Sequence, residues 1–160
     1  MLLLKLYCHI IALVCKQYYK LAYGSRCQMG RNLQFRKGFT LLIDNGGDVR
    51  IGDDVFFNNY CTVCAMKEIA IGNGTIFGEN VKIYDHNHIY KDPNIQIKKQ
   101  GYISDSIHIG NHCWIGSNVT ILKGVTIGDN CVIGASCVVY RDVPANSVVL
   151  NKQDHIIKVL

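Results

Sequence analysis

No apolar run in this chain is long enough to cross a bilayer. The longest clean stretch near the N-terminus is Ile10 to Cys15, whereas a spanning helix needs about 20 apolar residues. No small-residue cleavage site follows it, so it does not read as a secretory signal. The chain also lacks a basic stripe with interleaved aromatics. Its net charge of +5 comes from scattered residues such as Lys5, Arg26, Arg36 and Lys98. That argues against nucleic acid and leaves a small anionic ligand or a membrane surface as the charged partner. A second cysteine pair is missing too. Cys61-x-x-Cys64 is the only close pair among eight cysteines, so the ligand set for a structural zinc is incomplete and no metal is expected. Cys61, Cys113, Cys131 and Cys137 fall where a small apolar residue is needed. Free core thiols fit a reducing compartment, which points to the cytoplasm.

The chain does contain a period of six. Ile109, Ile115, Ile121, Ile127, Ile133 and Val139 are all β-branched, and Gly110, Gly116, Gly128 and Gly134 follow four of them. Residues six apart lie on opposite sides of an α-helix, so the period is not helical. A chain that turns a corner every six residues explains it, because each flat side then points one aliphatic inward. Two residues before each aliphatic stands another small apolar residue: Cys113, Val119, Val125, Cys131 and Cys137. Polar pairs between them, Asn111-His112, Ser117-Asn118 and Asp129-Asn130, suit corners that need positive φ. Ile51, Phe57 and Val63, then Ile71, Phe77 and Ile83, extend the pattern backwards around a two-residue insertion at Ala65-Met66. Met29, Phe35 and Leu41 fit a weaker first coil. The fold class is all-β, a parallel β-helix of about five triangular coils.

Three segments are set apart. Residues 1–24 read as a helix that covers the open first coil or packs on a neighbouring subunit. Its Leu and Tyr positions opposed by Lys give it a second reading as an interfacial membrane helix. Residues 25–150 form the coil, interrupted by a loop over 84–106 that leaves the register and returns at Ile107-Ile109. Residues 151–160 form a tail. A long excursion inside a regular solenoid costs closure entropy and buries little, so it is expected to be functional.

Candidate chemistry concentrates at Tyr84-Asp85-His86-Asn87-His88, where the excursion begins. Imidazole titrates near neutrality and suits removal of a proton from a hydroxyl or amine. Trp114, the only tryptophan, precedes an inward aliphatic and should point outward, against a subunit or along a ligand groove. Small corner residues such as Ser117 and Ala135 leave backbone groups accessible to an extended ligand such as pantetheine. Arg141 and Lys158 could meet its phosphates.

The stretch IHIGNHCWIGSNVTILKGVTIGDNCVIGASCVVYRDVPAN, Ile107 to Asn146, resembles the hexapeptide-repeat acyltransferases. Within them it is similar to the sugar O-acetyltransferases of the galactoside and maltose type and of capsule and lipopolysaccharide clusters. The resemblance implies a left-handed coil, acetyl-CoA as co-substrate, and a homotrimer with sites between subunits. It places the catalytic base on His88, with Asn58 to hold the base or the acceptor; Asp85 or a backbone carbonyl is expected to orient the imidazole. Tyr84 and His86 would contact the acceptor, a sugar or glycan hydroxyl. Trp114, Ser117, Ala135, Arg141 and Lys158 would contact acetyl-CoA. The chain departs from the family's closing turn at Asn151-Lys152-Gln153-Asp154-His155, where His155 replaces a basic residue that helps bind the nucleotide. Two other readings stay open. One is an amino-sugar N-acetyltransferase. The other is a zinc carbonic anhydrase-like protein recruiting His86, His88, His108 and His112.

Overall fold

The computed structural model describes residues 2–152. Helix α1 (Leu2–Tyr23) leads through a short 3-10 turn into the coils. Strands β1 (Cys27–Met29), β2 (Gln34–Phe35) and β3 (Thr40–Ile43) make the first coil. The second holds β4 (Asp48–Ile51), β5 (Phe56–Phe57) and β6 (Thr62–Ala65), and the third β7 (Glu68–Ile71), β8 (Ile76–Phe77) and β9 (Lys82–Tyr84). The excursion contributes β10 (His86–His88) and β11 (Tyr102–Ser104). The fourth coil is β12 (Ile107–Ile109), β13 (Trp114–Ile115) and β14 (Thr120–Leu122). The fifth is β15 (Thr126–Ile127), β16 (Val132–Ile133) and β17 (Val138–Val139), and β18 (Val148–Val149) begins a sixth.

Every third strand stacks on the last, which gives three parallel sheets as the sides of a prism. The first side is β1-β4-β7-β12-β15, the second β2-β5-β8-β13-β16-β18 and the third β3-β6-β9-β14-β17. The predicted inward residues are buried, except Met29 of the first coil, which is partly buried. Ile115, Ile121 and Ile133 have no exposed surface, and the small slot of Cys113, Val119, Val125, Cys131 and Cys137 is closed as well. Both apolar slots of the hexad therefore face the axis. Phe35, Phe57 and Phe77 stack up the inside of the second side, with Phe57 and Phe77 ring centroids 4.4 Å apart.

The corners bear out the conformational reading. Between the first and second sides, Asn32, Asp54, His112, Asn130 and Asn146 all have φ between 53° and 61°. Between the second and third sides, Tyr60, Asn80, Asn118 and Ser136 have φ between 57° and 62°. In each predicted polar pair the second residue takes the left-handed turn. The tight spacing also explains a glycine. A Cβ on Gly116 would sit 2.7 Å from the Ala135 nitrogen of the next coil, so the coils approach there only because no side chain intervenes.

Register steps show where the repeat is broken. Phe56 pairs with Ile76, a step of 20, and Trp114 pairs with Val132, a step of 18. The step from Gln34 to Phe56 is 22, which adds a loop at Asp44-Gly47 that the periodicity did not disclose. The step from Ile69 to Ile107 is 38 and contains the excursion. All three insertions fall at the third corner, between the third side and the next first side, and so stack along one edge of the prism.

Helix α1 closes the first coil. It packs on β1 and β2, and its Ala12 and Tyr19 are buried. The Tyr19 hydroxyl accepts from the Leu41 N–H at 3.3 Å, and its ring meets Phe39 edge-on at 6.1 Å. Lys16 Nζ donates to the Gly30 carbonyl. Of the two soluble-side expectations for this helix, covering the first coil is the one observed.

Candidate functional site

Asp85 organises the edge where the insertions stack. Ile83 points inward, Tyr84 outward, and Asp85 inward again, so strand alternation buries its carboxylate completely. The corner of the second coil wraps around it. Met66 and Lys67 N–H donate to it at 2.8 and 2.7 Å, and Glu68 N–H at 2.9 Å. The insertion at Ala65-Met66 therefore supplies the donors that a buried carboxylate requires. The remaining contact is His86 Nδ1, 3.0 Å from Oδ1. A proton on Nδ1 in this contact leaves Nε2 as the free ring nitrogen.

The excursion opens as an antiparallel ribbon. His86 pairs with Ser104, and His88 pairs with Tyr102. Alternation puts His86 and His88 on one face of the ribbon, and Tyr102 packs against both. Its ring lies 4.4 Å from that of His88 and 5.5 Å from that of His86. The His86 side chain is only 13% exposed. His88 is exposed, in a shallow hollow that His86, Asn87, Tyr90 and Ile97 also line. At the base of the ribbon, Lys67 donates to Asp105 at 2.8 Å and holds its carboxyl below the usual range.

This geometry corrects one expectation. Asp85 was to orient His88, but it contacts His86. The register explains the difference. His88 lies three residues along a strand leading away from the prism, whereas His86 is adjacent to the corner that Asp85 fills. Tyr102 was missed altogether. It lies outside the repeat, and only the antiparallel pairing of β10 with β11 brings it to the histidines.

The other site residues sit elsewhere on the chain. Asn58 ends the second side of the second coil, where its Oδ1 accepts from Arg36 at 3.3 Å. Ser117 and Ala135 follow at the same corner in higher coils, and the Ser117 hydroxyl accepts from Glu79 N–H at 3.1 Å. Trp114 points outward from the second side and is 55% exposed, as expected, between Ile76 and Val132 of adjacent coils. Arg141 lies above the excursion, at the third corner of the fifth coil, against the Tyr140 ring. Tyr84, Asp85, His86, His88 and Arg141 thus share one edge. Asn58, Ser117 and Ala135 share another, and one chain does not bring the two sets together. Lys158 and His155 lie outside the described residues. A concavity of about 730 Å³ runs down the outer face of the first side past Arg50, His108 and Thr126, and includes none of these positions. Among the described residues no three His, Cys, Asp or Glu side chains converge as a metal site.

Residues 106–141 match the family model described as bacterial transferase hexapeptide, six repeats. Nodulation protein L of Rhizobium meliloti (strain 1021) is 38% identical over 107 residues, 67% of this chain and 57% of that protein. The chain thus spans little more than half the length of this curated relative. A hexapeptide-repeat acetyltransferase of Vibrio cholerae O1 biovar eltor, solved with acetyl-coenzyme A, superposes with a TM-score of 0.67 at 30% identity, over 77% of this chain and 64% of that one. A galactoside acetyltransferase solved with coenzyme A gives 0.67 at 33% identity, over 77% and 59%. A mirror-image coil would not superpose, so the left-handed sense is shared. The period, the left-handed prism and these likenesses agree: the chain belongs to the hexapeptide-repeat acyltransferase family.

Proposed function

We propose that the protein is an acetyl-CoA-dependent acetyltransferase that acts on a sugar or glycan hydroxyl by direct transfer, with His88 as general base. The observation that carries this reading is the exposed His88 imidazole, which packs at a tilt against Tyr102 beside the buried Asp85 and its partly buried partner His86. A base must be reachable by the hydroxyl it deprotonates. His88 is exposed, whereas the His86 ring is largely buried with Nδ1 committed to Asp85. His86 then holds the ribbon in place and faces the acceptor together with Tyr84.

In this mechanism the acceptor oxygen attacks the thioester carbonyl as His88 takes its proton. The tetrahedral intermediate collapses, and its carbon–sulfur bond breaks. The leaving thiolate takes the proton from the imidazolium, giving an acetyl ester and free coenzyme A. A backbone N–H at the Gly116-Ser117 corner would steady the oxyanion.

A single chain carries the two residue sets on different edges, so the complete site needs a neighbour. We place it between protomers of a homotrimer, His88 from one edge and Asn58, Trp114, Ser117 and Ala135 from the edge of the next. Relatives solved with acetyl-CoA and with coenzyme A support the co-substrate. Free thiols at Cys27, Cys61, Cys113, Cys131 and Cys137 support a reducing, cytoplasmic setting.

Thiol release from acetyl-CoA with a panel of sugar acceptors tests the reading. His88→Ala should lower turnover about 10²- to 10⁴-fold. His86→Ala should act through folding or acceptor KM and leave a measurable rate. Near wild-type turnover of His88→Ala, or an abolished rate in a folded His86→Ala alone, would remove His88 from the role. Mass spectrometry of the product separates ester from amide, and hence the hydroxyl acceptor from an amino sugar.

A further inference from the structure

We propose that helix α1 and the first-coil end of the prism form a docking surface for an anionic lipid bilayer. Helix α1 has two apolar stripes on opposite sides. Ala12, Tyr19 and, in part, Cys15 and Tyr23 pack on the first coil. Ile10, Leu13, Val14, Tyr18 and Leu21 recur at three- and four-residue spacing on the far side and face outward, Leu21 at 86% exposure. The first stripe explains why the helix caps the coil. Nothing in the prism covers the second.

Charge selects the occupant. The first 43 residues contain seven Lys and Arg and no Asp or Glu, a net charge of +7. The other 117 residues contain ten basic and twelve acidic residues, a net charge of −2. The cations belong to α1, where Lys20 is exposed and Lys16 turns back to the Gly30 carbonyl, and to the first-coil end, at Arg26, Arg31, Arg36 and Lys37. Of these, Arg31 is neutralised by Asp53 at 2.7 Å. A second copy docked on the same face would bring like charge against like charge. A bilayer with anionic headgroups matches both the apolar stripe and the cationic surround. The helix is not apolar enough to span a membrane, so it would lie in the interface plane with its outward stripe in the acyl boundary.

Flotation of the full-length protein with two vesicle types tests the proposal: phosphatidylcholine alone, and phosphatidylcholine with about a third phosphatidylglycerol. The protein should float with the anionic vesicles and release as salt is raised. Leu13→Gln with Leu21→Gln, and separately Lys20→Glu with Lys37→Glu, should each lower partitioning about tenfold or more. Thermal melting should be unchanged, because all four side chains point away from the core. Failure to float with anionic vesicles overturns the proposal. So does equal flotation with neutral ones, or partitioning that neither double variant reduces. If the Leu variants instead lower the solution mass of the native assembly, the stripe is a contact between copies and the membrane assignment is wrong. Turnover with a soluble acceptor should survive in all variants, which separates this test from that of the acetyltransfer reading.

Discussion

Among the described residues Asp85 is the one fully buried charged side chain. Three backbone N–H groups and one imidazole converge on a carboxylate that water does not reach. Asp85→Ala would strand those donors and should cost about 3 kcal/mol or more. Asp85→Asn keeps an acceptor and should cost less. Denaturant unfolding of both variants checks the order. The cysteines give a second outcome at this scale. Burial pushes the thiols of Cys27, Cys61 and Cys113 up. A raised native pKa means the folded state holds its protons longer than the unfolded state. The stability from these thiols is therefore complete below about pH 9, the ordinary thiol value, and falls as pH rises through the raised native values. Melting temperature should drop on the alkaline side. Ellman's reagent should label these positions only after unfolding; rapid labelling in the native state would contradict their burial. Asp85 was legible in sequence as a candidate for chemistry but not as a buried corner cap. Inward pointing depends on which residue after Ile83 still follows the strand, and the hexad ends there.

At the scale of the element, the hexad made the sides of the prism readable. Its aliphatics must avoid water every six residues, and no other element satisfies that period. Ile121 is fully buried in β14 with neighbours above and below. Ile121→Ala should cost about 2–5 kcal/mol, measured by chemical denaturation. A loss under 1 kcal/mol would mean the coil is not close-packed. The two-residue insertion was visible because the Ile71-Phe77-Ile83 set is offset from Ile51-Phe57-Val63. The loop at Asp44-Gly47 was not, because the first coil's pattern is weaker and its Met29 is only partly buried. The ribbon of β10 and β11 was equally hidden. Its pairs, His86 with Ser104, Asn87 with Ile103 and His88 with Tyr102, have no buried face to impose a period. That is why Tyr102 escaped notice while His86 and His88, in the same element, did not.

At the scale of the whole molecule, one prism carries the proposed base and the proposed co-substrate residues on two different edges. The sequence names both halves through the family resemblance, but the separation of Asn58 from His88 is a property of the winding, visible only once sides and corners are assigned. Under the proposed placement the assembly becomes part of the chemistry. Solution mass should correspond to three chains, and an active monomer would contradict the proposed placement. The most direct measurement mixes two variants, His88→Ala and Asn58→Ala, each slowed about 10²-fold or more alone. Trimers co-assembled from equal amounts should regain about a quarter of wild-type sites, since one interface in four then pairs an intact His88 with an intact Asn58. Recovery to that level in the thiol-release assay is the predicted result. Activity no higher than the sum of the two variants would contradict a site shared between protomers.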